Sequence, residues 1–339
     1  MSETTTCTSI VFTGKQTLEL TTSTLGAPKE DEVLVEATRT LISTGTEMTI
    51  FNRNFEPGTH WDQWVCYYPF PVGYLFSGRV VKVGSDKTGF KVGDRVGVRH
   101  NHSSHVIAKA INVIRVPDNV SDDESVWLGL GKIVQNGVRA ADHKLGDTVV
   151  IIGLGMLGQL VTRYARINGA SEVIAIDTAP KRLELAKLGG ATATLNMSAA
   201  DAKAEVLKLT NGLGADVVYD VTGHPAVLAT ALKLARKAGT IQLLGDSGAP
   251  GKQMLGPEII THGLKIIGTH DNIPPHFTTE GVRWSGTEIY DLFLKYVGRK
   301  QMNVNELITH RFKPQQAAQA YDLLNKDRAN VMGVMFEWK

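Results

Sequence analysis

The chain has 339 residues with a formal net charge of +2, and 42% of them are hydrophobic and 21% charged, as in an ordinary globular protein. This length suggests about two domains, and the near-zero charge gives no electrostatic reason to expect nucleic acid or a membrane as partner. No apolar run approaches the roughly 20 residues that cross a bilayer. Only two cysteines, Cys7 and Cys66, and a polar N-terminus without a signal-peptide core predict a cytoplasmic protein.

The first part of the chain alternates short strand patterns with turns. Strands are expected at 8–12, 32–37, 79–84 and 91–98, and a short helix from Thr44 to about Arg53. The segment 52–70 is unusually aromatic and is predicted to be a loop. The pattern predicts an antiparallel, barrel-like β-domain over residues 1–125.

After Pro117 the pattern changes to alternating strands and helices. Ser121 is expected to cap a helix whose first turn is acidic. Strand patterns at 148–152, 172–176, 216–220, 240–244 and 265–268 predict a doubly wound parallel sheet, giving an α/β domain over 126–272. Helices near 286–298 and 314–325 and a last strand at 332–336 are expected to complete the first domain, over 273–339.

A glycine-rich turn follows the apolar strand at 148–152. Gly153, Gly155 and Gly158 have the spacing G-x-G-x-x-G, and a helical pattern begins at Met156. The first glycine allows a tight turn, the second lets backbone approach a pyrophosphate, and the third lets strand and helix pack closely. The helix N-terminus attracts phosphate charge. The sequence therefore predicts a dinucleotide site; a glycine turn without a ligand is the alternative.

An acidic residue stands where this kind of site needs one. Asp177 follows the next strand, 19 residues after Gly158, where a carboxylate binds a ribose 2′-hydroxyl and repels a 2′-phosphate. We therefore expect NAD, and NADP less. Further cofactor contacts are expected at the helix start and after later strands, at Met156, Leu157, Thr222, Leu244, Asp246 and Thr269.

The order of the domains and two local motifs resemble the medium-chain dehydrogenase/reductase superfamily. The motifs are VGSDKTGFKVGDRVG at 83–97 and KLGDTVVIIGLG at 144–155. The resemblance covers essentially the whole chain. It implies a GroES-like β-barrel domain joined to a Rossmann domain, NAD(P)-dependent oxidoreduction, and an active site in the cleft between the domains.

The chain departs from the zinc-dependent members of that superfamily at each metal position. Those members have a cysteine where this chain has Thr44, and Gly-His-Glu where it has GYL at 73–75. The third ligand position falls at 128–130, LGL, and no cysteine lies between 85 and 115 for a structural zinc lobe. Zinc sites need thiolate, imidazole or carboxylate donors, so we expect no metal. The string ISTGTE at 42–47 is similar to a zinc-lacking branch that includes bacteriochlorophyllide a dehydrogenase-like proteins, which implies oxidation of a secondary hydroxyl with NAD.

Without zinc, a side chain must exchange the substrate proton. The resemblance places Thr46 at a hydroxyl that relays this proton, and Tyr74 on a former metal-ligand position. Glu47 falls at the acidic position behind the metal, and Lys132 could place an ammonium group near the substrate oxygen. Each has a structural alternative: Glu47 as part of a capping box from Thr44, Thr46 as a first-turn residue, Tyr74 as core, and Lys132 as a solvated helix residue.

Several other residues are candidates for the substrate pocket. Aromatic side chains between 55 and 70 can line a pocket or stack on sugar faces, although a hydrophobic plug or an oligomer interface is also possible. The histidines at 100, 102 and 105 are expected on a loop or strand edge rather than around a metal. The pocket candidates are Thr44, Trp61, Trp64, His102 and His270.

These observations predict a zinc-independent, NAD-dependent dehydrogenase that interconverts a secondary alcohol and its ketone. A polyol, a sugar or a bulky cyclic alcohol is the expected small-molecule substrate, and a homodimer or homotetramer the expected assembly. Two alternatives stay open. One is an NAD(P)H-dependent quinone or enone reductase, in which hydride attacks a conjugated carbon. The other is an NAD(H)-binding sensor without catalysis.

Overall fold

The computed structural model describes residues 4–271 and 284–339, and the chain forms two compact units. The first unit, here the barrel unit, comprises Met1–Asn54, Asp62–Gly129 and Tyr290–Lys339. The second, the nucleotide unit, comprises Phe55–Trp61 and Leu130–Ile289. No helix in the described ranges is both long and apolar enough to span a bilayer.

The strands of the described residues are numbered in chain order. They are β1 Thr5–Gly14, β2 Thr17–Leu25, β3 Glu32–Leu41, β4 Phe70–Pro71, β5 Phe76–Val83, β6 Arg95–Val98, β7 His105–Lys109, β8 Val113–Arg115, β9 Thr148–Ile152, β10 Glu172–Asp177, β11 Ala193–Asn196, β12 Ala215–Asp220, β13 Ala235–Leu243, β14 Lys265–Gly268, β15 Ile308–Phe312 and β16 Gly333–Glu337.

The α-helices are numbered in the same way. They are α1 Thr44–Asn52, α2 His60–Trp64, α3 Asp122–Ser125, α4 Leu128–Ala141, α5 Met156–Ile167, α6 Pro180–Leu188, α7 Lys203–Leu209, α8 Val227–Leu232, α9 Glu258–Thr261, α10 Gly286–Gly298 and α11 Ala317–Lys326.

The barrel unit contains two sheets. The larger has the order β15-β16-β3-β5-β6-β8, with β7 also paired to β3, and the smaller has the order β2-β1-β4. Strands β3 and β5 approach closely at Gly78, where a Cβ atom would lie 2.1 Å from the carbonyl oxygen of Glu36. Buried side chains from β3, β5 and β6, among them Val35, Phe76 and Val96, pack into one core. This architecture confirms the predicted antiparallel β-domain.

The nucleotide unit is built on a six-stranded parallel sheet. Its order is β11-β10-β9-β12-β13-β14, which confirms the predicted doubly wound sheet. Four of the five residues of β9 are fully buried, as expected where helices cover both faces of a parallel sheet. Because the strands are parallel, their carboxyl ends meet at one edge, and ligands bind beyond that edge in folds of this kind.

Three local expectations need correction. The predicted loop 52–70 contains the short helix α2. Helix α1 is capped at Ser43, one residue before Thr44, and no side-chain cap bond is present, so the predicted capping box from Thr44 is wrong. Strands β2 and β11 were not predicted. By contrast, the cap predicted at Ser121 is confirmed, with a reciprocal bond to Glu124.

Candidate active site

A buried carboxylate lies behind the start of helix α1 in the barrel unit. Glu47 is 1% exposed. Its Oε1 accepts a hydrogen bond from the backbone amide of Ser43 at 2.7 Å. Its Oε2 accepts one from the hydroxyl of Tyr321 at 2.5 Å and lies 3.0 Å from Nε2 of His102. Glu47 therefore does satisfy a backbone donor, as its structural alternative required, but it also joins the helix start to β7 and α11.

His102 does not line an open pocket, contrary to the prediction. Its ring is 0% exposed and faces Glu47. A Cβ on Gly73 would lie 2.7 Å from the His102 ring, and Gly73 has a φ of +94°, so this approach requires glycine. The burial of Glu47 and His102 makes them positioning residues rather than groups that touch a substrate.

Tyr74 presents the reactive hydroxyl of this region. It is half-buried, and its phenolic oxygen lies 2.6 Å from Oγ of Ser43. Burial raises the pKa of Tyr74, while hydrogen bonds with Ser43 and Thr46 and the charge of Arg99 partly oppose that rise. The guanidinium of Arg99 lies 4.9 Å from the centre of the Tyr74 ring. Tyr74 is thus a neutral phenol near pH 7, held between hydroxyl groups and a cation.

A cavity opens beside Tyr74 within the barrel unit. One part of its wall is apolar, and another carries a phenol, a cation and an amide. Its lining includes Tyr74, Phe76, Arg99, Asn112, Leu128 and Tyr290. Sequence reasoning missed Ser43, Arg99 and Tyr290. Ser43 adjoins the recognised segment and could have been found, whereas nothing in the sequence links Arg99 or Tyr290 to Tyr74.

The residues at the three metal positions of zinc-dependent relatives do not fit a metal. Tyr74, Leu128 and Gly129 do line the same cavity, but only the phenol among them has a donor atom, and Thr44 offers a neutral hydroxyl. Within 4–271 and 284–339, no group of three or more His, Cys, Asp or Glu side chains is arranged to hold a metal ion.

The glycine turn of the nucleotide unit has the geometry that a pyrophosphate needs. Gly153 has a φ of +89°, and a Cβ on Gly158 would lie 2.0 Å from the Gly153 carbonyl oxygen. A Cβ on Gly155 would meet no atom within 4 Å, so the space in front of this residue is open. Helix α5 begins at Met156, which is buried, and Leu157, which is half-buried. Its first backbone amides point at that space.

Asp177 stands at the end of β10 as predicted, and an arginine that sequence reasoning missed lies beside it. The carboxylate of Asp177 accepts hydrogen bonds from the amides of Leu154 at 2.7 Å and Ala179 at 2.9 Å. Nη1 of Arg182 lies 3.6 Å from its Oδ2. The amides fix the carboxylate at the rim of the glycine turn, where each oxygen retains a lone pair for a ribose hydroxyl.

The loops after β12 and β13 lie close together at the same edge. Thr222 donates its hydroxyl to Asp220 at 2.7 Å, and its methyl group lies 2.7 Å from where a Gly153 Cβ would be. Burial raises the pKa of Asp220. Asp246 is exposed and lies 2.8 Å from Nε2 of His60. These contacts place Thr222 against the glycine turn and Asp246 at the outer rim.

The remaining rim residues lie at the ends of β13 and β14. Leu244 is buried against α4, where a Cβ on Gly137 would lie 2.8 Å from it. The Thr269 hydroxyl accepts a hydrogen bond from Gln242 at 2.9 Å, and His270 is exposed. The structure therefore brings the predicted cofactor residues to one edge of the sheet.

Lys132 is buried, so its alternative as a solvated helix residue is wrong. It is 5% exposed, and its ammonium nitrogen lies 3.1 Å from Oδ1 and 3.3 Å from the carbonyl oxygen of Asp271. The ion pair ties α4 to the loop after β14. This makes Lys132 a part of the sheet edge.

The aromatic segment does not act as one loop. Phe55 and Trp61 stack at 6.5 Å within the nucleotide unit, where Trp61 is 5% exposed. Trp64 belongs to the barrel unit, packs edge-on to Phe70 and is 48% exposed. Of the two tryptophans predicted to line the pocket, only Trp64 has an open surface.

Two family models match the chain. That of the alcohol dehydrogenase GroES-like domain matches residues 29–118. That of the zinc-binding dehydrogenases matches residues 157–278. Among curated proteins, an L-threonine 3-dehydrogenase from Marinomonas sp. (strain MWYL1) is 27% identical, covering 91% of this chain and 92% of its own length.

Solved structures share the fold. The 2R,3R-butanediol dehydrogenase of Bacillus subtilis superposes with a TM-score of 0.79 at 20% identity, covering 98% of this chain and all of that one. An alcohol dehydrogenase of Escherichia coli CFT073, solved with NADH, gives 0.81 at 22% identity, covering 98% and 99%. At these identities the likeness shows a common fold.

Proposed function

The chain belongs to the medium-chain dehydrogenase/reductase superfamily, and on that premise we propose that it is a zinc-independent, NAD-dependent dehydrogenase that interconverts a secondary alcohol and its ketone. The observation that carries this proposal is the phenol of Tyr74, which stands at a metal-ligand position of its relatives and is held by Ser43 and Thr46. Its relatives by sequence include an L-threonine 3-dehydrogenase, which supports oxidation of a CH–OH group.

Tyr74 supplies the proton chemistry in this proposal. In ketone reduction its phenol donates a proton to the substrate oxygen, and the hydroxyls of Ser43 and Thr46 relay a replacement; oxidation runs in reverse. Glu47, held by Tyr321 and His102, fixes the backbone of Ser43 and so the position of its hydroxyl. Bound NAD supplies the hydride acceptor, or the hydride in the reverse direction.

The residues of the nucleotide unit fit NAD. Gly155 leaves room for the pyrophosphate at the start of α5, and Asp177 accepts hydrogen bonds from a ribose diol. A 2′-phosphate would meet the Asp177 carboxylate. Arg182 already lies beside that carboxylate, which supports NAD over NADP.

The substrate class follows from the cavity beside Tyr74. Phe76 and Leu128 give it apolar surface, while Arg99 and Asn112 give it hydrogen-bond donors. That combination suits a polyol, a sugar or a bulky cyclic alcohol, which has both a hydrocarbon face and several hydroxyls.

We also propose a homodimer or homotetramer that forms through the edge of the parallel sheet. Strand β14 is the last strand in its order and pairs with β13. Nearby Met254, Leu255 and Ile260 are 69%, 62% and 86% exposed, which is apolar surface that a second copy would cover. Both cysteines are free, which supports a cytoplasmic location.

The test is a turnover screen of purified protein. Secondary alcohols are offered with NAD, and quinones and enones with NADH or NADPH. Oxidation of an alcohol that Tyr74→Phe abolishes supports the proposal. Enone reduction with NADPH would move the protein to the reductase alternative, and NADH binding without any turnover would favour a sensor.

A further inference from the structure

Asn136 on helix α4 is a buried amide whose polar atoms have no partner. Its side chain is 5% exposed. Neither Oδ1 nor Nδ2 makes a hydrogen bond within the part of the chain that the structure describes. Burying both the donor and the acceptor of an amide without partners costs free energy, and native proteins seldom retain such a group unless a ligand or ordered water satisfies it.

The neighbours of Asn136 place it at the ligand edge of the parallel sheet. Lys132 lies four residues earlier and therefore on the same helix face, and it pairs with Asp271, three residues after β14. The next residue, Gly137, packs against Leu244, which follows β13. This turn of α4 thus lies against the carboxyl ends of β13 and β14.

The strand order decides which half of a dinucleotide comes to that place. Asp177 ends β10, on one side of β9, whereas β12, β13 and β14 lie on the other side. With its adenosine ribose at Asp177 and its pyrophosphate at Gly155, NAD must extend its other half towards β13 and β14. Asn136 therefore lies on the nicotinamide side.

We propose that Asn136 recognises the carboxamide group of nicotinamide. Its Nδ2 donates a hydrogen bond to the carboxamide oxygen, and its Oδ1 accepts one from the carboxamide nitrogen, so each group satisfies the donor and acceptor of the other. The inference rests on the proposed function, because it requires NAD as the ligand. Neighbouring Gln135 is equally buried, but its Nε2 already donates to the carbonyl oxygen of Ile289 at 3.0 Å.

The test compares ligands with and without the nicotinamide. Calorimetric Kd values are measured for NADH and ADP-ribose on the full chain, its Asn136→Leu and Asn136→Ala variants, and the control Gln135→Leu. Both Asn136 variants are expected to weaken NADH by about 10- to 100-fold and to leave ADP-ribose within about twofold. Because they remove a buried group without partners, the ligand-free variants should melt no lower than the parent. Gln135→Leu should keep the parent's ratio of the two Kd values.

A second measurement needs no variant. An analogue with nicotinic acid in place of nicotinamide presents a carboxylate that cannot donate to Oδ1 of Asn136, so the unmodified protein should bind it at least about 10-fold more weakly than the amide form. Equal loss of NADH and ADP-ribose in the Asn136 variants, or no discrimination against the acid, would overturn the role of Asn136 alone. An unmodified protein that binds neither NADH nor ADP-ribose would overturn the proposed function as well.

Discussion

The side-chain oxygens of Ser43 and Tyr74 lie 2.6 Å apart. The same serine donates its backbone amide to the buried carboxylate of Glu47 at 2.7 Å. One residue therefore connects the phenol that we assign to proton transfer with the network that holds it in place. This connection makes separate predictions for the hydroxyl groups and for the network.

Removing the phenolic hydroxyl should stop proton transfer while leaving the nucleotide unit intact. Tyr74→Phe is expected to lower kcat by about 10²- to 10⁴-fold, with the Kd of NADH unchanged. Steady-state kinetics with an alcohol identified in the screen measure the first, and a fluorescence titration measures the second. Tyr67→Phe, at an exposed tyrosine of the same unit, is the control. A Tyr74→Phe enzyme with the parent's kcat would refute this role.

Changing the buried carboxylate should weaken the fold as well as the site. In Glu47→Gln the new Nε2 cannot accept the hydrogen bonds of Tyr321 and His102. We expect the free energy of unfolding to fall by about 2 kcal/mol, measured by urea denaturation, and kcat to fall with little change in KM. Glu19→Gln, at an exposed position, should change neither. Unchanged stability in Glu47→Gln would show that the network contributes little.

Cofactor preference should depend on Asp177 and its arginine neighbour. Asp177→Ser removes the charge that opposes a 2′-phosphate and releases Arg182, which lies 3.6 Å away, to bind one. The ratio of kcat/KM for NADP to that for NAD should rise by at least about 10-fold. Asp177→Ser combined with Arg182→Ala should reverse most of that gain. A ratio that stays constant in the single variant would contradict the assignment.

His100 should make the protein lose stability on acidification. Burial lowers its pKa to about 4, below its usual value near 6.5. Between these values the unfolded chain binds the proton and the folded chain does not, so stability falls as pH drops from about 6.5 to about 4. The loss is at most about 3 kcal/mol. His100→Gln should remove that part of the pH dependence, measured as the difference between two sets of urea midpoints. Parallel pH profiles would contradict it.

Local patterns were enough to predict the parallel sheet. Strand β9 and the glycines after it are consecutive in sequence, and the resulting turn at Gly153 has the positive φ that its glycine allows. Strand β11 was missed because its four residues are only partly buried or exposed, so they lack the continuous apolar run by which the other strands of the sheet were found.

The polar network was beyond what sequence patterns can predict. Tyr321 meets Glu47 across 274 residues of chain, and no spacing rule relates them. His102 was placed near a substrate because its segment is rich in histidine, but its ring is fully buried. Helix α4 gave an amphipathic pattern in which Asn136 looked unremarkable; only the burial of both its polar atoms marks it.

The central claim is oxidation of a secondary alcohol without a metal. The measurement is the NAD-dependent turnover of polyols, sugars and cyclic secondary alcohols by chelator-treated protein, assayed with and without added zinc, with metal content determined on the same sample. Because Thr44, Tyr74 and the LGL segment at 128–130 offer no thiolate, imidazole or carboxylate, we predict equal rates in both conditions. Turnover that appears only when zinc is added would contradict the account.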